Sequence, residues 1–295
     1  MPFTTFRIGG PARYFYEART VDSLIRAVEA ARKSDIPFFI LGGGSNILVS
    51  DEGFDGLVVK NQISNVEIQN KMVAAGGGAL LSKVVADSIE AGLTGLEWAA
   101  GIPGTVGGAI RGNAGAYGSF ISDAVEEVTI LDDEGVLGTL TASDCEFGYR
   151  DSIFKCRPWI TLSATFRLSK GERERTQEQI TAYLADRDRR IPPYPSAGCV
   201  FKNLRVRDLK PEISDKIPRE IIKEGMVPAW YLIDQCGLKG KRIGGAQISD
   251  RHANFIINLG GAKAADVLAL INLCKEKVRE QFEVELEEEI RCVGF

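Results

Sequence analysis

The chain has 295 residues, 44% of them hydrophobic, and a formal net charge of −4 from 40 acidic against 36 basic side chains. That length exceeds what one compact core usually holds, so more than one domain is expected. The hydrophobic share excludes a disordered chain, and the charge balance argues against nucleic acid or an anionic membrane as the main partner. No apolar run is long enough for a bilayer span, and the opening MPFTTFRIGG lacks the basic-then-apolar layout of a secretory signal. A cytoplasmic enzyme with no membrane insertion is the expectation.

In chain order, VDSLIRAVEAARK (21–33) places Val21, Leu24, Ile25 and Val28 on one helical face. IPFFIL (36–41) suggests a buried strand, GGGSN (42–46) a tight turn, and ILVS and LVVK further strands. A second segment starts near residue 66 with the strands VEIQ and MVAAGGG, followed by a helix in ALLSKVVADSIEAG (79–92) that stops at Gly92. VTILDDEGVLGTL (128–140) has the pattern of a hairpin and WITLSATFRLS (159–169) that of a strand. ERERTQEQITAYLADRDRR (172–190) is a polar helix whose charges suit a solvated face. IPPYPS (191–196) cannot continue that helix and marks a domain boundary. Beyond it come a short helix in AWYLIDQCG, strands in GGAQIS and NFIINLG, a long helix over 264–282, and an edge-strand pattern in VELEEEIRCVG (284–294). The fold class is α+β.

Six cysteines stand at 145, 156, 199, 236, 274 and 292, with no C-x-x-C pair, and the single histidine, His252, has no ligand-spaced companion. No metal site is therefore expected. Reduced, mostly packed thiols are the default for Cys145, Cys156, Cys236, Cys274 and Cys292. Glycine concentrates in GGGSN (42–46), AAGGGALL (74–81) and AAGIPGTVGGAIRGNAGAYG (99–118). Glycine lets a backbone approach a ligand closely and its exposed N–H groups can cradle a diphosphate, although any one such stretch is equally a turn. Neither the dinucleotide fingerprint nor the P-loop fits: Gly42 and Gly44 are followed by Ser45, Asn46 and Ile47, and Gly240-Lys241 is followed by Arg242 with Gln235 where glycine is required. A phosphate-bearing cofactor would need a fold that is neither.

TTFRIGGPARYF (4–15), ILGGGSNILVSDEGFDGLVV (40–59), GLEWAAGIPGTVGGAIRGNAGAYG (95–118), YRDSIFK (149–155), SAGCVFKN (196–203), GAQISDRHANFIIN (245–258) and LEEEIRCVG (286–294) span nearly the whole chain. In this order they resemble the UDP-N-acetylenolpyruvoylglucosamine reductase family, flavoenzymes of peptidoglycan precursor synthesis. The resemblance implies an FAD-binding module of the vanillyl-alcohol oxidase type followed by an α+β substrate domain. It divides the chain into 1–65 joined by 284–295, then 66–192, then 193–283. It implies non-covalent FAD held by Gly42, Gly43, Gly44, Ser45 and Asn46, by Gly101, Pro103, Gly104, Thr105, Gly107 and Gly108, and by Asn113, Gly115 and Ala116. NADPH and UDP-N-acetylglucosamine enolpyruvate would be the substrates, and a monomer is expected. Only 49 positions separate Arg150 from Cys199, too few for the loop that covers substrate in the family's longer form, so the chain resembles the shorter, second type. Leu204 stands where the family usually has proline after F-K-N.

The same resemblance assigns catalysis. Hydride would pass from NADPH through the flavin to the β-carbon of the enolpyruvyl ether, leaving an enolate-like α-carbon that must collect a proton. The family usually places serine as donor where this chain has Cys199. A thiol suits the task, because its ordinary pKa of about 8.5 leaves it protonated near neutrality yet far more acidic than a hydroxyl. Arg150 would pair with the substrate carboxylate and stabilise the enolate, where a planar fork matches two oxygens. Glu289, one of three consecutive glutamates with Glu287 and Glu288, would be the third catalytic group, either as a neutral acid or through a hydrogen bond. Lys202 and Asn203 would touch the diphosphate or carboxylate. Arg187 and Arg190 suit either the UDP phosphates or a solvated helix face. Ser249, His252 and Asn254 would line the substrate domain, with His252 equally suited to a structural place. Two rivals remain: another oxidase or dehydrogenase on the same flavin module, and a nucleotide-sugar sensor without catalysis.

Overall fold

The computed structural model describes residues 2–295. The chain divides into two compact units. A central unit comprises Ala12–Gly43 and Asp55–Arg189, and a C-terminal unit comprises Arg190–Phe295 with Gly44–Phe54 and the residues up to Pro11. The early segments 2–11 and 44–54, expected with the first flavin subdomain, thus join the C-terminal unit. The reason is packing: Phe6, Ile8 and Leu48 are buried in one core with Val200, Leu232, Ile256 and Leu270.

The central unit holds two larger sheets beside two two-stranded ladders. Strands Ala12–Ala18, Phe54–Asn61 and Phe38–Leu41 form the first in that spatial order, the last two parallel. Helix Val21–Lys33 begins with a capping box, in which the Thr20 hydroxyl accepts from the Ser23 N–H and the Ser23 hydroxyl accepts from the Thr20 N–H. Its buried stripe is Leu24, Val28 and Ala31, while Val21, expected on that face, is exposed. The stripe packs with Ala18, Val59, Leu131 and Leu162. The second sheet is antiparallel, in the order Leu137–Thr141, Val125–Leu131, Ile160–Arg167, Met72–Gly76, Val66–Gln69. It shares its core with helices Leu81–Glu90 and Val106–Gly112. The second helix lies inside the glycine-rich stretch, where Val106, Ala109 and Ile110 bury one face despite the three glycines at 107, 108 and 112.

In the C-terminal unit, strands Ser196–Cys199, Phe255–Asn258, Ala246–Ile248 and Arg242–Ile243 form an antiparallel sheet in that order. Helices Ala229–Gln235 and Ala264–Phe282 bury Leu232, Ile233, Val267, Leu270 and Ile271 in the same core. The carboxylate of Asp51 accepts from the Ala264 and Ala265 N–H groups at 2.8 and 3.1 Å, capping the long helix. The chain's end corrects the expected strand over 284–294. Only Arg291–Val293 is a strand, parallel to Ile47–Val49. The buried Val284, Leu286 and Ile290 break alternation at Glu288, so the segment before residue 291 instead runs beside 200–202, through Lys202 N–H to Glu287 O at 2.9 Å and Glu289 N–H to Val200 O at 2.7 Å.

Candidate active site

Backbone hydrogen bonds zip two of the three glycine stretches together in the central unit: Leu81 N–H to Gly104 O (3.1 Å), Val106 N–H to Ala79 O (2.9 Å) and Gly107 N–H to Gly77 O (2.8 Å). Several glycines are demanded by this packing alone. A Cβ on Gly43 would lie 2.6 Å from the Gly104 Cα, and one on Gly42 2.5 Å from Thr105 Oγ1. Gly43 is therefore required by a loop-on-loop contact within the protein, a stricter reason than the ligand approach expected from its motif. Gly108 is different: a Cβ there meets only Thr105 Oγ1, at 3.7 Å. Thr105 is 4% exposed, and its Oγ1 has no hydrogen-bond partner among the described residues. Lys60 donates to the Gly42 carbonyl from a half-buried position, and burial pulls its pKa below the ordinary lysine value. The sequence reading missed Lys60, since one lysine in a strand carries no signal.

Arg150 sits in the central unit at φ 53°, in the left-handed region that arginine rarely adopts. Its guanidinium donates through Nη2 to the Gly115 carbonyl at 2.8 Å and lies 5.7 Å from the Tyr149 ring centroid. Gly148 and Asp151 exchange backbone hydrogen bonds around it at 3.0 and 3.2 Å. Asn113, expected near the flavin, is buried, with its amide donating to Gly148 O at 2.8 Å and its carbonyl accepting from Ser122 N–H at 3.2 Å. Its side chain braces the Arg150 turn.

Cys199 lies in the C-terminal unit, partly exposed, at the end of its strand opposite Phe255. Gly198 before it has φ 81°, and the pairing shifts register between Ser196 and Cys199, as a bulge that re-aims the following side chain would. Val200 N–H donates to Asn254 O at 2.8 Å, and the Asn254 side chain bonds both backbone groups of Phe201, at 2.9 and 2.8 Å. The three glutamates part company here. Glu287 pairs with Lys202 and Glu288 with Lys275 at 2.6 Å, while the Glu289 backbone is held by Val200 O and by the Asn46 amide at 3.1 Å. Cys199 and Glu289 are thus brought together through Val200, with Asn46 beside them.

Other expected site residues have structural work. Asn254, 2% exposed, is consumed by Phe201, and the Ser249 hydroxyl accepts from the Arg251 and His252 N–H groups at 3.1 and 3.4 Å. His252 accepts at Nδ1 from Asn254 N–H (3.3 Å) between Trp230 and Phe255, and burial, aided by Arg190, pushes its pKa down to about 4. Asn203 Oδ1 accepts from the Ala229 N–H at 3.2 Å, and Leu204 continues into a short ladder opposite Val227. Arg187 lies against Gly101, where a Cβ would come within 3.1 Å of its Nε.

Residues 191–293 match the family described as UDP-N-acetylenolpyruvoylglucosamine reductase, C-terminal domain, and residues 12–141 match the FAD binding domain. A protein named UDP-N-acetylenolpyruvoylglucosamine reductase from Solibacter usitatus (strain Ellin6076) is 41% identical over 294 residues, 99% of this chain and 94% of its own length. One of the same name from Alkaliphilus oremlandii (strain OhILAs) is 41% identical over 99% of this chain and 90% of its own. The chain belongs to the UDP-N-acetylenolpyruvoylglucosamine reductase family. The crystal structure of UDP-N-acetylenolpyruvylglucosamine reductase from Thermus caldophilus superposes with a TM-score of 0.79 at 34% identity, covering 99% of this chain and 96% of that one. The fold class expected from the sequence, an FAD-binding module followed by an α+β C-terminal domain, is the one found.

FAD is the family's cofactor, and the central unit fits it. A buried hydroxyl without a hydrogen bond costs about 1–3 kcal/mol, so Thr105 Oγ1 calls for an acceptor that the protein does not provide. Gly108, the one glycine beside it with room for a side chain yet carrying none, leaves space on that side. Gly42, Gly43, Gly104, Thr105, Gly107 and Gly108 are the residues of this unit that would hold the flavin's phosphates.

Proposed function

We propose that the protein reduces UDP-N-acetylglucosamine enolpyruvate to UDP-N-acetylmuramate with NADPH, using the thiol of Cys199 as proton donor. The carrying observation is the joint placement of Cys199 and Glu289 through the Val200 carbonyl. Bound FAD supplies the hydride, taken from NADPH and delivered to the β-carbon of the enolpyruvyl group. The residues of this chain do the rest. Arg150 pairs with the substrate carboxylate, onto which the negative charge spreads as the C–H bond forms. The Cys199 S–H bond breaks as the α-carbon takes the proton, leaving a thiolate that water reprotonates. Glu289 acts from the far side of the enolate, either as a neutral acid or through a hydrogen bond. Lys202 and Asn203 bind the diphosphate side of the substrate, and Arg187 and Arg190 the UDP phosphates. Residues 193–283 carry substrate contacts, with 1–65, joined by 284–295, and 66–192 serving the flavin. The protein works as a soluble cytoplasmic monomer.

The test is direct. Purified protein should be yellow, lose its colour on denaturation and removal of small molecules, and oxidise NADPH stoichiometrically with the enolpyruvyl substrate. UDP-sugar binding without NADPH consumption would replace this reading with a sensor, and flavin retained by the denatured chain would replace it with a tethered oxidase.

A further inference from the structure

The hairpin Gly115–Ala116 with Ser119–Phe120 turns through two residues, Tyr117 and Gly118, both at positive φ (56° and 80°). This is the pattern of a type I′ turn, which ordinarily takes Asn-Gly because a bulky side chain at positive φ crowds its own backbone. Tyrosine at the first of these positions needs a compensating role. The Tyr117 ring stacks on Tyr183 with centroids 4.2 Å apart and planes at 25°. Its hydroxyl donates to the Asp186 carboxylate at 2.9 Å and lies 3.3 Å from the Tyr183 carbonyl. Both partners lie near the end of helix Arg173–Arg190, more than 60 positions along the chain. The same hairpin receives the Arg150 guanidinium at the Gly115 carbonyl. Gly115 itself is wedged so tightly against the Phe120 ring that a Cβ would stand 2.4 Å from it, so the two arms of the hairpin pack directly on each other.

We propose that Tyr117, gripped by Tyr183 and Asp186, is a positioning residue that sets the direction of the Arg150 guanidinium through the Gly115 carbonyl. A strained residue persists only where its surroundings over-determine it. Here the surroundings are a helix on one side and, on the other, an arginine that is itself at positive φ. Released from the helix, the hairpin would relax toward unstrained geometry and carry Gly115 with it. A displacement of about 1 Å in a charge-stabilising group can cost on the order of 100-fold in rate. This inference rests on Arg150 being the group that receives the substrate carboxylate.

The test separates fold from function. Tyr117→Gly removes the grip while suiting the backbone, and Tyr117→Asn does the same with a second residue tolerant of positive φ, should the first fold poorly. Tyr117→Phe keeps the stack but loses the bond to Asp186. Rapid mixing with NADPH should show flavin reduction slowed at most a few-fold in all three. Reoxidation by substrate should slow roughly 10- to 100-fold in the glycine and asparagine variants and a few-fold in the phenylalanine variant. Melting temperatures of the glycine and asparagine variants should match or exceed that of the native protein. Native reoxidation rates in the glycine and asparagine variants overturn the proposal. So does a slowdown shared by both half-reactions together with a lowered melting temperature, which would make Tyr117 a fold stabiliser. Arg150→Lys serves as the control: if it leaves reoxidation untouched, the role of Arg150 itself has failed.

Discussion

Gly43 and Gly108 should respond in opposite ways to the same substitution, alanine. At Gly43 the new methyl would lie 2.6 Å from the Gly104 Cα, a backbone atom that cannot swing aside. Overpacking of this kind costs about 1–3 kcal/mol, so the apoprotein should melt lower and FAD affinity should fall as the two loops part. At Gly108 the methyl meets only Thr105 Oγ1 at an ordinary 3.7 Å. A glycine-to-alanine change within a helix usually gains about 0.5–1 kcal/mol. The Gly108→Ala apoprotein should therefore melt about 2–4 °C higher, on the scale of roughly 1 kcal/mol for a domain of this size. If flavin occupies the space beside Thr105, its dissociation constant should nevertheless rise about tenfold or more, one decade for each 1.4 kcal/mol of clash. Thermal melts of flavin-free protein and fluorescence titration with FAD measure the two quantities separately. A Gly108→Ala protein that is stabilised and binds FAD with native affinity would refute the placement of the flavin at this face.

Glutamine at Glu289 should lower the substrate half-reaction by about 10²-fold or more, whereas Glu287→Gln and Glu288→Gln each remove a partly exposed ion pair worth about 1 kcal/mol or less; equal steady-state rates for the three would dispose of the assignment. Cys199→Ala should leave flavin reduction by NADPH near native and slow reoxidation by about 10²–10⁴-fold, Cys199→Ser should recover much of it, and only the native enzyme should lose that step as alkaline pH ionises the thiol; stopped-flow traces at several pH values decide it. His252, the sole histidine, should show no NMR titration between about pH 5.5 and 8, because its folded pKa of about 4 lies below the ordinary value. The unfolded chain then binds a proton that the folded chain does not, so stability should be full above about pH 6.5 and decline as pH falls toward 4. The loss amounts to a few kcal/mol, and His252→Gln should flatten this slope in melts from pH 4.5 to 7.

Regular elements with strong periodicity were legible before any coordinates: the helices at 21–33, 173–190 and 264–282 and the hairpin around residue 134 fall where their patterns put them. Ala12–Ala18 was not, since four consecutive exposed side chains erase the period of two that announces a strand. The helix at 106–112 was masked because glycine content favours a loop locally, and only tertiary burial of Val106, Ala109 and Ile110 outweighs it. Among site residues, motif order pointed to Cys199, Arg150 and Glu289, but the roles of Asn113, Ser249 and Asn254 as braces depend on partners distant in sequence. Tyr117 escaped notice for the same reason. Its meaning lies in Tyr183 and Asp186, and nothing in the string GAYG names them.

On the proposed role of Cys199, the braces explain how a thiol could take the place of the hydroxyl that the resemblance implies. Serine and cysteine differ in acidity and sulfur radius, so exchanging them is tolerable only if the backbone fixes where the side-chain atom points. Around Cys199 that backbone is held on both sides: Ser196 is paired with Ile257 before it, and Val200 and Phe201 are bound to Asn254 after it. Gly198, at φ 81° with no atom within 4 Å of a built Cβ, supplies the turn in between without contributing bulk. On the proposed role of Cys199, direction is set by the backbone bonds to Ile257 and Asn254, and acidity by the sulfur. Loosening Asn254 should therefore damage the cysteine and serine forms of the enzyme alike, whereas a change of pH should distinguish them.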